Sequence, residues 1–229
     1  MRSGVGLIDM SFMSKFMVTG AGAGALLNRL STADVDAQAG RITYTQWLDD
    51  GGRMQADVTV AKLGPDRFMV VATDTAHRQV EAWMARHRPS VGSGSGSAIH
   101  IQDVSGAYAQ LNIQGPRSRE LLAALIGEGG DVDVSDEGLP FRGVLDVPIG
   151  FARVIVVRIT YVGELGYELY VPSENALHVY ERIVEAGAPL GLKHVGLKAL
   201  SSLRMEKGYR GESAHGEEGT EVRLRMEKG

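Results

Sequence analysis

ITYTQWLDDGGRMQADVTVAKL, residues 42–63, reads as two strands joined by a turn. Asp49, Asp50, Gly51 and Gly52 supply the turn chemistry, and alternation resumes immediately after them. Met54, Ala56, Val58 and Val60 fall on one face, with Gln55, Asp57 and Thr59 on the other. An antiparallel hairpin of this length argues against a doubly wound parallel sheet. Outward from it, strands are expected at 4–10, 15–20 and 67–73, and helices at 21–34 and 75–87. The second half repeats the rhythm. Strands fall near 98–104, 107–115, 144–150 and 152–163, the last leading into 161–171. Helices follow at 116–126, where Pro116 opens the first turn, and at 173–187 and 195–208. Interspersed strands and helices with several hairpins define an α+β class.

The 229 residues are 44% hydrophobic, enough for a sizeable core in one large domain or two closely packed small ones. A net charge of −4, from 24 basic and 28 acidic residues, leaves no electrostatic footprint for nucleic acid. No cysteine is present, which excludes disulfides, thiolate nucleophiles and cysteine-held metals. No membrane span or signal peptide is read, so the expectation is a cytoplasmic chain. RPSVGSGSGSA (88–98) is linker-like. The expected division is a first α+β half at 1–88, a linker or loop at 89–98, and a second half at 99–210. LRMEKG occurs at 203–208 and again at 224–229, and 211–229 reads as a disordered or appended tail.

Three stretches carry candidate chemistry. GAGAGA (20–25) fits the turn of a dinucleotide site, yet the acids near the required distance, Asp34 and Asp36, sit in a polar loop rather than at a second strand's end. A tight turn accounts for it. Asp57 is either a solvent-facing residue beyond a hairpin or a carboxylate held rigidly on a sheet. YVGELGYELYV (161–171) reads as a strand interrupted by glycine, with Glu168 and Tyr170 sharing a face. It is either an exposed edge or the rim of a pocket that stacks a flat ring. The six histidines form no close ligand set with carboxylates, so no metal site is expected.

GVGLIDMS, GGRMQADVTV, LNIQGPRS, ITYVGELGYELYVP and LRMEKGYR occur here in the order found in the tetrahydrofolate-binding aminomethyltransferase family. The chain resembles that family, and YVGELGYELYVP and SLRMEKGYR resemble most the folate domain of dimethylglycine and sarcosine dehydrogenases. The resemblance implies a T-protein-like folate-binding fold of mixed and antiparallel sheets with flanking helices, lacking the C-terminal β-barrel domain. It implies tetrahydrofolate as acceptor of a methylene or iminium unit from a demethylated amine, 5,10-methylenetetrahydrofolate as product, and no metal. FAD would belong only to a partner, a flavin-dependent amine oxidoreductase domain or chain. On this resemblance Asp57 is the catalytic carboxylate and Glu168 binds the pterin. Tyr161, Tyr170 and Tyr44 contact folate, and Met13 and Val71 form apolar walls. Leu200 stands where T-proteins carry a folate-contacting arginine, a departure shared with the dehydrogenase branch. A non-catalytic folate-binding regulatory protein of the same fold is the alternative, half echoed by KGYRGES (207–213). A dinucleotide-binding oxidoreductase resting on GAGAGA is the third.

Overall fold

A computed structural model of the chain describes residues 1–89, 99–127 and 132–209. Nearly all of the expected linker, the tail at 211–229 and the second LRMEKG copy lie outside the described residues. The architecture is built on two sheets. In the first, β3 (Arg41–Leu48) and β4 (Met54–Gly64) form the expected hairpin. They continue through β5 (Arg67–Ala72), β2 (Ser14–Thr19) and β6 (His100–Asp103) in the order β3-β4-β5-β2-β6, with every neighbour antiparallel. The second sheet has the order β11-β1-β7-β10-β9-β8. Its strands are β1 (Gly6–Asp9), β7 (Tyr108–Gln114), β8 (Val144–Ile149), β9 (Ala152–Val157), β10 (Gly166–Pro172) and β11 (Lys193–His194). The short β1–β11 pair is parallel and the others are antiparallel, so this is a mixed sheet within an α+β fold.

Each sheet buries its outer face under helices. Leu26, Leu27 and Leu30 of α1 (Ala23–Leu30) and Val80 and Met84 of α2 (His77–His87) pack on Phe16, Val18, Trp47, Ala56, Val58 and Val60. Leu121, Leu122 and Leu125 of α3 (Ser118–Ile126) and Val179 and Ile183 of α4 (Ala176–Gly187) pack on Leu7, Ile113, Tyr167 and Leu169. The inner faces then meet each other. Met17, Ile42, Ala61, Met69 and Val71 of the first sheet pack against Ile155, Val157 and Tyr170 of the second. Because side chains alternate along a strand, polar residues share these inner faces, and the opposing sheet buries Lys15, Gln110, Asn112 and Gln114 while Tyr44 stays 44% exposed. Beside this layer, Leu200 of α5 (Leu197–Glu206) rests on Ile8 and Val162.

The GAGAGA stretch makes a turn into α1. Gly20 adopts φ 113°, and a Cβ on Gly24 would fall on the Asp36 carboxylate, which itself accepts from the Lys62 ammonium at 2.8 Å. The preceding strand, β2, has antiparallel neighbours on both sides, so no parallel βαβ unit surrounds the turn.

YVGELGYELYV is not one interrupted strand. β9 ends at Val157, residues 158–165 form a loop, and β10 begins at Gly166. Nor is β10 an edge, since it lies between β7 and β9. Gly163 takes φ 72° under the Lys207 side chain. Gly166 is glycine for a packing reason: a Cβ there would strike the amide of Gln114, its register partner on β7. That amide cannot step aside freely, because Gln114 is buried, donates to the Ile159 carbonyl at 3.3 Å and accepts from the Thr160 hydroxyl at 3.1 Å. Gly166→Ala is expected to destabilise the fold by ~1–3 kcal/mol through this overpacking, read as a lower urea midpoint. The double variant Gly166→Ala/Gln114→Ala should recover part of the loss. A single variant as stable as the parent would refute the account.

Candidate functional site

The layer between the sheets contains more than apolar side chains. On the first sheet, register sets Gln46 opposite Asp57 and Tyr44 opposite Thr59, so Tyr44 and Asp57 are diagonal neighbours on the inner face. The Tyr44 hydroxyl donates to Asp57 Oδ2 at 3.0 Å. Burial, reinforced by the negative charge of Asp57, pushes the Tyr44 phenol up to about 12, so it remains a donor. Tyr161, on the 158–165 loop, stands within electrostatic reach of the same carboxylate. Burial raises its phenol above the ordinary value, opposed by Arg204 and seconded by Asp57. The Arg204 guanidinium lies 5.9 Å from the Tyr161 ring centroid, and the Tyr209 ring meets its edge at 6.2 Å.

The second group belongs to the opposing sheet. Glu168 and Asn112 are register partners on β10 and β7, as are Tyr170 and Gln110. Glu168 accepts from the Asn112 amide at 3.2 Å through Oε1 and from the Tyr170 hydroxyl at 2.6 Å through Oε2. Burial raises the carboxyl above its usual range, and the two donors and the positive charge of Lys15 pull it back down. Tyr170, wholly inside, is raised well above the ordinary phenol by burial and by the charge of Glu168.

Lys15 was not foreseen from the sequence. It follows Met13 and precedes Met17 at strand spacing, so it shares their inward face, and it is 0% exposed. Its ammonium donates to the carbonyls of Ser11 at 3.0 Å and Met13 at 2.6 Å, fixing the turn that carries Met13. Val71 is its register partner on β5. Burial lowers the amine to about 8, against the attraction of Asp103, Asp9 and Glu168. A lysine at an apolar-face position of β2 was the available signal. Asn112 and Gln110 were missed for another reason: they alternate with Leu111 and Ile113, which from pattern alone reads as a water-facing row. Both are buried, and among the described residues neither Asn112 Oδ1 nor Gln110 Oε1 has a hydrogen-bond partner.

Of the expected residues, Tyr44, Asp57, Val71, Glu168 and Tyr170 lie on the inner faces of the two sheets, Met13 packs against the same layer from the turn before β2, and Tyr161 lies on the 158–165 loop within electrostatic reach of Asp57. Acceptors, hydroxyls and flat rings side by side suit a heterocycle with several N–H groups. Among the described residues, no group of three His, Cys, Asp or Glu could hold a metal, and no helix is long and apolar enough to cross a membrane.

The depressed amine of Lys15 has a consequence for stability. Its folded value is below the ordinary 10.5, so the unfolded chain binds more protons between about 8 and 10.5 and folding is favoured as pH rises through that window. At about 1.4 kcal/mol per pH unit the full effect is about 3 kcal/mol. The stability of Lys15→Met minus that of the parent should therefore fall by about 3 kcal/mol from pH 8 to pH 10.5, measured by denaturant unfolding at each pH. A difference that stays constant would show that the amine does not titrate in this window.

Comparison with known proteins agrees with the fold. Residues 1–222 match the model of the GCVT N-terminal domain. The chain is 37% identical over 209 residues to the 4-methylaminobutanoate oxidase (formaldehyde-forming) of Paenarthrobacter nicotinovorans, covering 91% of this chain and 24% of that protein. It is 33% identical to mitochondrial sarcosine dehydrogenase of Mus musculus, again over 91% of this chain and 23% of the relative. The chain thus spans about a quarter of the length of these two relatives. The crystal structure of the glycine cleavage system aminomethyltransferase T from Bartonella henselae superposes with a TM-score of 0.73 at 23% identity, over 90% of this chain and 52% of that one, a likeness of fold. The chain belongs to the GCVT N-terminal domain family.

Proposed function

We propose that the chain binds tetrahydrofolate between its two sheets and serves as the acceptor module for a one-carbon unit released from an N-methyl amine. The observation that supports this reading most is the convergence, in a chain of this family, of the Tyr44–Asp57 pair and the Glu168–Asn112–Tyr170 cluster on facing sheet surfaces. The residues fit the ligand on their own chemistry. A pterin carries a ring N–H beside an amino group. When ionised, Glu168 only accepts, and each of its oxygens holds one protein donor and has a further lone pair. Tyr161 and Tyr44 offer ring surface, Tyr170 is packed inside and contributes its hydroxyl to Glu168, and Met13 and Val71 stand as apolar wall.

When bound, tetrahydrofolate would supply N5 and N10, which each form a bond to the methylene carbon of an iminium as the bond from that carbon to the amine nitrogen breaks, giving 5,10-methylenetetrahydrofolate and the free amine, which carries away the N10 proton. Asp57 would accept the proton that N5 loses as the new bond forms and stabilise the cation while it lasts. Tyr44 holds that carboxylate by its 3.0 Å hydrogen bond. Glu168 would anchor the ring through two charge-assisted bonds. Oxidation of the amine belongs to a flavin-dependent partner domain or chain, consistent with the oxidase and dehydrogenase relatives.

Calorimetric titration with tetrahydrofolate tests the reading. Glu168→Ala should weaken binding by ~1.5–3 kcal/mol, the worth of hydrogen bonds to a charged group. Asp57→Ala should leave affinity near that of the parent yet abolish formation of 5,10-methylenetetrahydrofolate from an N-methyl amine in the presence of a flavin amine oxidoreductase. Unchanged affinity in Glu168→Ala would remove the pterin assignment. Binding by the parent without any transfer would leave a folate-binding module.

The raised carboxyl of Glu168 adds a pH signature. Its ionised form is the one that binds N–H donors, so protonation competes with ligand. Affinity should decline on acidification at a pH above the ordinary value of 4.5, because burial has moved the group upward. In Glu168→Gln that decline should be absent from the affinity–pH curve.

A further inference from the structure

We propose that Asn112 is a specificity residue of the folate site proposed above, whose Oδ1 accepts a hydrogen from an exocyclic ring amino group while its amide nitrogen holds Glu168. The proposal rests on the folate reading above and names a contact beyond it. The orientation of the amide follows from chemistry. An ionised carboxylate only accepts, so the group at 3.2 Å from Glu168 Oε1 is Asn112 Nδ2, and Oδ1 is the amide's remaining acceptor. Asn112 is 7% exposed, and Oδ1 is buried with no hydrogen-bond partner among the described residues. Buried amide oxygens are ordinarily satisfied, so an unpartnered one beside Glu168 is suited to accept from a ligand donor.

The arrangement around it specifies the donor. Register between β7 and β10 puts Asn112 and Glu168 side by side on one face, and the Tyr170 hydroxyl closes the far side of Glu168 at 2.6 Å. Glu168 Oε1, Glu168 Oε2 and Asn112 Oδ1 then offer one remaining acceptor site each, at the least. Three neighbouring acceptors match three N–H bonds: a ring N–H and both hydrogens of an adjacent amino group. A carboxylate alone takes the ring N–H and one amino hydrogen. Asn112 takes the other, so the pair distinguishes an aminopyrimidine edge from one that bears hydrogen or oxygen at that carbon.

Tetrahydrofolate and its analogue lacking the ring amino group, titrated into the parent and into Asn112→Ala, separate this role from a purely supporting one. The parent should prefer the amino compound. In Asn112→Ala the affinity for tetrahydrofolate should drop roughly 5- to 30-fold, the range of one buried hydrogen bond. The preference for the amino compound should shrink by a similar factor, because the lost contact is made only to the amino group. Equal loss for both ligands, with the preference unchanged, would mean that Asn112 only steadies Glu168 and would overturn the proposal. Asn112→Ser repeats the comparison if the alanine variant does not fold, judged by circular dichroism. Absence of tetrahydrofolate binding by the parent would instead sink the folate reading, and this inference with it.

Discussion

The packing of two sheets face to face, with charged and amide groups enclosed between them, is the constraint on which the rest of the molecule depends. Taking an ammonium, a carboxylate and two amides out of water is costly unless each finds partners. Lys15 finds two main-chain carbonyls, and Glu168 finds Asn112 and Tyr170. What offsets the remaining penalty lies on the outer faces, where α1 and α2 cover one sheet and α3 and α4 the other with continuous apolar contact. The helices make the core, and the layer between the sheets is left free to carry polar chemistry.

A second dependence runs through the loop at 158–165. Val162 is packed against Ile8 and Leu200, and the Arg2 guanidinium bonds to the Val162 carbonyl, to Glu164, to the Leu203 carbonyl and to Glu206. Tyr161 therefore owes its place beside Asp57 to α5 and to a residue at the start of the chain. Leu200 occupies the position where the resemblance to T-proteins anticipates an arginine, and here it serves packing rather than charge. Neither the pairing of Arg2 with this loop nor its reach to Glu206, 204 positions away, is visible in any local window.

Much of the fold was legible in the residues. The β3–β4 hairpin, the helices and the α+β class follow from period and turn chemistry, which are local properties. Boundaries were less secure: the strand expected through 163 stops at Val157, because Gly163 in its left-handed conformation and the Thr160 hydroxyl, which accepts from the Val162 and Gly163 amides, fold the chain into a loop. The break at Gly166 was visible as a glycine, but its cause, the Gln114 amide 52 positions earlier in the chain, was not.

The sequence alone determined which strands alternate and which residues share a face, and through family resemblance it singled out Asp57 and Glu168. Only the tertiary structure decided what each polar face looks at. Alternation says that Gln55, Asp57 and Thr59 lie together, and equally that Gln110, Asn112 and Gln114 do, but a face turned toward water and a face turned toward a second sheet carry the same pattern. Once the two sheets close, Gln110, Asn112 and Gln114 are buried while Gln55, Asp57 and Thr59 stay half-buried, and register on β7 and β10 brings Asn112 to Glu168 as stacking of the sheets brings Lys15 into the same layer.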